Sequence, residues 1–205
     1  MSNFPDYREV VWDATTPRHL SVVDQVHILV SVTGLLAPRV VIDPSDPSGD
    51  ALLARQPSAI SELAAAEQYF LARYRKYHRL EDFTTSERLR KLRTDPDTGV
   101  LDLTEDETAD ATDFASNEYV SHHGLAAGLG RGECAVLAIA ANRELAAGLD
   151  DGAARRLAAS IGVRVVTTED LLRAAVDRSV VSKDDAESIQ QSLVSRGFRG
   201  SLSLY

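Results

Sequence analysis

Short apolar runs alternate with longer amphipathic stretches along this chain, and that alternation limits the fold more than any other feature. Glu9–Trp12 carries the β-branched pair Val10 and Val11, Ala146–Leu149 is a short apolar run, and Val163–Thr167 has strand composition throughout. Arg39–Ile42 and the leucines Leu101 and Leu103 around Asp102 are further strand candidates. Helical patterns lie between them: Leu20–Val32, Pro57–His78 with Pro57 and Ser58 as a start signal, and Thr85–Arg93. Thr104 and Glu107 stand at capping-box spacing ahead of an acidic helix. A helix opening at Gly130 is apolar on most sides, which predicts burial. Further helices are expected over Ala153–Ile161, over Glu169–Asp177 with Thr168 as cap, and over Ser182–Arg196, stopped by Gly197. Strand followed by helix, repeated, predicts a three-layer α/β/α architecture with a mainly parallel central sheet. A chain of 205 residues suits a single domain, 1–205.

Several function classes are disfavoured by composition. The one cysteine, Cys134, excludes an intrachain disulfide and a cysteine-only zinc site. No apolar stretch is long enough to span a bilayer, and the first residues lack a basic start followed by an apolar run. The expectation is a cytoplasmic protein without membrane contact. A net charge of −9 argues at first against nucleic acid, whose phosphates call for Lys and Arg. The distribution changes that inference. Asp95 to Glu118 holds nine acids and no Lys or Arg, which accounts for the whole net charge. Arg73 to Arg93, just upstream, holds eight bases against three acids. The chain is polarised rather than evenly acidic.

Three acids fall where α/β sheets place active sites, at or just after strand ends. Asp13 ends the first strand, Asp151 (beside Asp150) ends the strand after the buried helix, and Glu133 lies in that helix's first turn. Converging carboxylates repel one another and call for a cation, and hard oxygen ligands select Mg²⁺ or Mn²⁺. A divalent ion held by acids can activate water and neutralise charge developing on a phosphodiester. The alternative is a strand-end acid, a helix cap and a solvated turn. His122 and His123 are adjacent, not at helical ligand spacing, and read as a surface turn.

The residues also carry a resemblance. Leu129-Gly-Arg-Gly-Glu-Cys-Ala-Val-Leu-Ala-Ile-Ala, Leu149-Asp-Asp-Gly-Ala-Ala-Arg-Arg-Leu-Ala, Ile161-Gly-Val-Arg-Val-Val-Thr-Thr and Ser195-Arg-Gly-Phe-Arg resemble the C-terminal half of a PIN-domain nuclease. Val10-Val-Trp-Asp-Ala-Thr-Thr-Pro is similar to the first PIN motif, a strand ending in Asp with Ser or Thr two residues on. The likeness spans roughly 13–30 and 129–199, and is nearest to the longer bacterial PIN proteins that serve as toxins in toxin–antitoxin pairs. It implies a Mg²⁺- or Mn²⁺-dependent endoribonuclease that cleaves single-stranded RNA and is blocked by a small antitoxin protein; a homodimer is also open. It implies Asp13, Glu133 and Asp151 as metal-binding acids. Of Asp150 and Asp151 only one should reach the metal, because neighbours in an extended segment face opposite ways, and the expectation is Asp151. Thr15 and Thr168 match the small hydroxyl residues that contact a ligand or water.

The middle of the chain departs from the family. The segment that supplies a further acid is displaced to Pro57-Ser-Ala-Ile-Ser-Glu-Leu, which makes Glu62 the fourth catalytic acid, with Asp170 as the alternative. About 69–128 is expected to be a helical, charge-polarised insertion. Within it Arg73 and Lys76 are candidate RNA contacts on one helix face, with Tyr74 and Tyr77 available for stacking on bases. The acidic helix could shield the cleft, dock a basic partner or pair with the basic segment. The displaced Glu62 and the overall acidity leave a second reading, a PIN-like binding or regulatory module with weak or no catalysis.

Overall fold

The computed structural model describes residues 4–6, 8–46, 60–125 and 128–198. In chain order these form β1 (Val10–Trp12), α1 (Thr15–Val22), α2 (Val26–Val32), β2 (Leu36–Pro38), α3 (Glu62–Tyr77), α4 (Leu80–Thr94), β3 (Gly99–Leu101), α5 (Glu105–Ala115), α6 (Asn117–His122), α7 (Arg131–Arg143), β4 (Ala146–Gly148), α8 (Gly152–Ser160), β5 (Val165–Val166), α9 (Thr168–Asp177) and α10 (Lys183–Ser195). The five strands make one sheet in the order β3-β2-β1-β4-β5, and every pairing is parallel. The α/β expectation is met, with helices on both faces.

β1 lies at the centre, and its three residues are fully buried. Alternation along the strand sends Val10 and Trp12 to one core and Val11 to the other. The first core gathers Leu20, Ile28 and Leu29 from α1 and α2 with Leu171 and Leu172 from α9. The second gathers Phe114 from α5, Leu137 from α7 and Leu157 from α8. Trp12 is the largest side chain in the first core, and its Nε1 donates to Thr33 Oγ1 at 3.1 Å. Gly148 lies against the face of the indole, where a Cβ would overlap the ring.

Three local expectations change. Leu20–Val32 is not one helix: Asp24 takes a left-handed conformation, with φ of 62°, and divides α1 from α2. The second strand is Leu36–Pro38 rather than Arg39–Ile42. The latter residues form a turn whose carbonyls at Val40 and Val41 accept the N–H groups of Glu62 and Leu63, both at 3.0 Å. A helix start with unpaired donors is satisfied this way, and it fixes where α3 begins. The expected start signals Pro57 and Ser58 lie outside the described residues. Finally, 69–128 is not a purely helical insertion, because β3 pairs with β2 and forms an edge of the main sheet.

α3 and α4 form a helical hairpin, held at its base by a buried ion pair. Arg93 is fully buried; its Nη2 donates to Glu67 Oε2 at 3.0 Å, and its Nη1 donates to the carbonyls of Asp43 and Asp46 at 2.9 and 2.7 Å. The acidic helix α5 packs along α7 instead. Arg143 pairs with Glu107 at 2.7 Å and Asn142 donates to Asp110 at 2.7 Å. These two acids of α5 are thus engaged by α7 and not by the basic segment of α3 and α4. Truncating Arg93 leaves Glu67 buried without a partner. Arg93→Ala should therefore lower stability by about 3–5 kcal/mol, read by urea unfolding, while Arg93→Met combined with Glu67→Gln should recover most of the loss.

Candidate active site

Parallel strands bring their C-terminal ends to one edge of the sheet, and β1 and β4 diverge there into α1 and α8. Asp13 follows β1 directly. Its backbone N–H donates to the Gly148 carbonyl at 3.2 Å, which extends the β1–β4 pairing by one residue and carries its side chain inward. Asp13 is 2% exposed. Its Oδ1 accepts the Thr15 N–H at 3.0 Å, the opening turn of α1. Burial, with smaller repulsion from Asp150 and Glu133, pushes its pKa up from 3.8 to about 8.

Glu62 opens α3 and reaches across to the start of α7, where its Oε1 accepts the Gly132 N–H at 3.0 Å. A Cβ on residue 132 would overlap the Glu62 carboxylate, so only glycine permits this approach. Glu133 folds back on its own helix start, its Oε2 accepting the Gly130 N–H at 2.8 Å. Burial raises the pKa of both glutamates, and each feels the charge of another acid, Glu133 for Glu62 and Asp151 for Glu133. Asp13, Glu62 and Glu133 line a single open cavity of about 890 Å³. Thr15, Arg18 and His19 from α1 share its wall, and Tyr69, Phe70 and Arg73 of α3 continue it outward. Cys134, next to Glu133, is buried and has its thiol pushed up to about 12, which removes it as a nucleophile.

The two acids of the strand-end pair take different partners, and Asp151, the expected metal-binding acid, is the one at a helix cap. Asp151 is exposed and caps α8, its Oδ1 accepting from Ala153 and Ala154 at 2.7 and 3.0 Å. Asp150 is the acid beside Asp13. Its Oδ1 accepts the Thr168 N–H at 2.9 Å, and its Oδ2 accepts the hydroxyls of Thr16 and Thr168 at 2.9 and 2.6 Å. The two threonine hydroxyls also meet each other at 2.9 Å. One carboxylate thus ties the first turns of α1 and α9 to the end of β4. Neither Asp150 nor Asp151 lines the cavity itself.

Other expected residues fall as follows. Thr168 is the first residue of α9 rather than its cap; Thr167 is the cap. Asp170 accepts the Thr167 N–H and hydroxyl at 2.9 and 2.7 Å and lines a separate hollow, apart from the cavity of Asp13, Glu62 and Glu133. Arg73 lines the main cavity, whereas Lys76 lies in the groove beyond it. Tyr74 is half-buried, with its ring against those of Phe83 and His78. The ring of His123 lies against Tyr119, away from the acids. Reading the sequence missed Thr16, Arg18 and His19. Arg18 and His19 follow Thr15 by three and four residues, a spacing that places them on its side of α1. His19 Nδ1 is buried with no hydrogen-bond partner, and burial lowers the ring's pKa.

A family model described as a PIN domain matches residues 85–205. The chain belongs to the PIN-domain family. No curated protein and no solved structure matches it. The matched PIN segment contains Glu133, Asp150 and Thr168, while Asp13, Thr15 and Glu62 precede it; the fold joins the two sets at one edge of the sheet. PIN domains are generally nucleases, and they typically use divalent metals. Among the described residues no helix is long and apolar enough to cross a membrane.

Among the described residues no three His, Cys, Asp or Glu side chains stand in a metal-holding group. The donor chemistry nonetheless fits a hard cation. Asp13, Glu62 and Glu133 supply only oxygen, enter no ion pair among the described residues, and are lifted in pKa by burial and, to a smaller extent, by neighbouring acids. Each glutamate keeps one oxygen that no described N–H or O–H engages.

Asp13 gives a measurable consequence. The folded protein holds this proton where the unfolded chain releases it, between pH 3.8 and about 8. Its contribution to stability is therefore complete below the unfolded value and is lost as pH rises through the folded one. In EDTA, the melting temperature of the wild type should fall relative to Asp13→Asn as pH rises from 5 to 8. A difference between the two proteins that stays constant with pH would show that Asp13 titrates normally.

Proposed function

We propose that the protein is a Mg²⁺- or Mn²⁺-dependent endoribonuclease that cleaves single-stranded RNA. The observation that carries this reading is that Asp13, Glu62 and Glu133 line one open cavity, with no cationic side chain among the described residues paired to any of them. In this reading those three acids hold the metal, with Asp150 as the strand-end acid beside Asp13. A divalent ion bound there would supply an activated water and offset charge on the phosphodiester.

The remaining roles belong to the chain's own residues. Thr16 and Thr168 hold Asp150 in place at the end of β4. Thr15, at the cavity wall, lies where its hydroxyl would orient a ligand or water. Arg18 stands in the same wall and would meet a phosphate oxygen of the strand; Arg73, further out, would meet the next. The openness of the cavity suits a flexible single strand better than a rigid duplex.

A toxin role, with a small antitoxin protein filling the cleft, remains part of this proposal, as does a homodimer. A second reading, a binding module with little catalysis, is favoured by one observation: Glu62 and Glu133 each have an oxygen turned onto a backbone N–H.

Cleavage separates the two. Purified protein with a pool of single-stranded RNA and Mn²⁺ or Mg²⁺ should give metal-dependent cleavage that EDTA abolishes. Asp13→Asn and Glu133→Gln should each lower the rate by about 100-fold or more, the scale for removing one electrostatic group from a site. Asp150→Asn should cost far more activity than Asp151→Asn. Absence of cleavage by inhibitor-free wild type on any RNA pool would favour the binding module.

A further inference from the structure

The outer half of α3 carries side chains that the cavity does not use. Tyr69, Arg73, Lys76 and Tyr77 fall at spacings of four, seven and eight residues, which puts them on one helix face. Tyr69 is 57% exposed and Tyr77 54%, a wide display for two large rings so close together. The cations lie over them: the Arg73 guanidinium is 5.6 Å from the Tyr69 ring centroid, Lys76 Nζ is 5.0 Å from that of Tyr77, and the Arg79 guanidinium is 5.7 Å from the same ring. A groove of about 630 Å³ runs over Tyr69, Ala72, Arg73, Lys76, Tyr77 and Arg79. Tyr69 and Arg73 also line the acidic cavity, so the two hollows share a wall. Arg73 is held by Asp82 at 3.4 Å, while Lys76 and Arg79 have no carboxylate partner among the described residues.

We infer that this face is an anchoring site for an unpaired nucleic-acid strand, outside the acidic cavity and continuous with it. Bases stack on Tyr69 and Tyr77, Lys76 meets a phosphate between them, and Arg79 meets one beside Tyr77. The eight residues from Tyr69 to Tyr77 rise about 12 Å, which matches about three to four nucleotides at 3.4 Å each. An acidic protein segment would satisfy the cations but has no use for two exposed flat rings, whereas every base has a face to stack. Ala72 keeps the surface between the rings low enough for a flat group to lie against it. The inference rests on the nuclease reading only in that the same strand would continue into the cavity; binding at this face needs neither metal nor catalysis.

The test is fluorescence anisotropy of the full chain with a labelled 12-nucleotide oligouridylate in EDTA, alongside Mn²⁺-dependent cleavage of the same strand. Tyr69→Ala and Tyr77→Ala should each weaken binding by about fivefold or more, the loss expected for one stacked base. Tyr77→Phe, which keeps the ring, should bind as the wild type does. Lys76→Ala with Arg79→Ala should flatten the salt dependence by a slope of about 1.4, since each phosphate of a single strand left without its cation accounts for about 0.7. Unchanged affinity in the tyrosine variants, or equal competition by polyglutamate, overturns the site. Ring-dependent binding by a wild type that never cleaves supports the site and removes the nuclease reading. Cleavage and affinity both indifferent to the two tyrosines remove the site and leave the nuclease reading standing.

Discussion

Parallel pairing is the constraint on which the rest of this molecule depends. With all five strands running the same way, every strand ends on one edge of the sheet, and each helix that follows begins there with unpaired N–H groups. β1 lies in the middle of the order, so Asp13 emerges at the centre of that edge with β4 on one side and β2 on the other. The acids and the helix starts are brought together by the same geometry. That is why so many of the carboxylates here are engaged by backbone N–H groups: Asp13 by Thr15, Glu62 by Gly132, Glu133 by Gly130, Asp150 by Thr168.

Those N–H groups reduce the repulsion among the acids without removing it. A backbone donor carries only a partial charge, so Asp13, shut off from water, still sits far above the ordinary carboxylate range. The surroundings contrast with the Glu67–Arg93 pair in the neighbouring hairpin. There a buried carboxylate meets a full guanidinium, and the pair fastens the hairpin. One buried acid is compensated by a full charge within the chain and has a structural role; the other lines an open cavity with only a backbone N–H engaging it.

The polarised charge of the chain resolves along the same lines. The acidic stretch that accounts for the net charge lies outside the cavity wall; five of its nine acids are on α5, which packs against α7 with Glu107 satisfied by Arg143. The basic stretch spans the end of α3 and nearly all of α4, and much of its charge is taken up locally, Arg73 by Asp82, Arg88 by Asp24 and Arg93 by Glu67. What faces the groove beyond the cavity is Lys76 and Arg79 with two tyrosines. Net charge says little about the groove because it averages over faces that never meet.

Periodicity and composition alone determined the layered α/β class, the position of Asp13 at a strand end, the buried helix behind Glu133 and the acidic helix with its Thr104–Glu107 cap, because each depends on neighbours within a turn or a strand. The motifs around Asp13 and from Gly130 onward carried the family, although the two lie more than a hundred residues apart in the chain. Other features were decided only in three dimensions. Arg39–Ile42 has strand composition, yet its carbonyls are needed by the first N–H groups of α3, and Leu36–Pro38 takes the place in the sheet. Whether Asp150 or Asp151 faces Asp13 is a one-residue question that alternation leaves open; the hydroxyls of Thr16 and Thr168, distant in sequence, take Asp150 and leave Asp151 to cap α8. Glu62 lines the cavity and Asp170 does not, because a glycine at 132 leaves room for one carboxylate and a threonine at 167 occupies the other. Local spacing fixes which way a helix or strand presents its residues, but which partner each polar group finds depends on the packing of elements that the chain brings together from far apart.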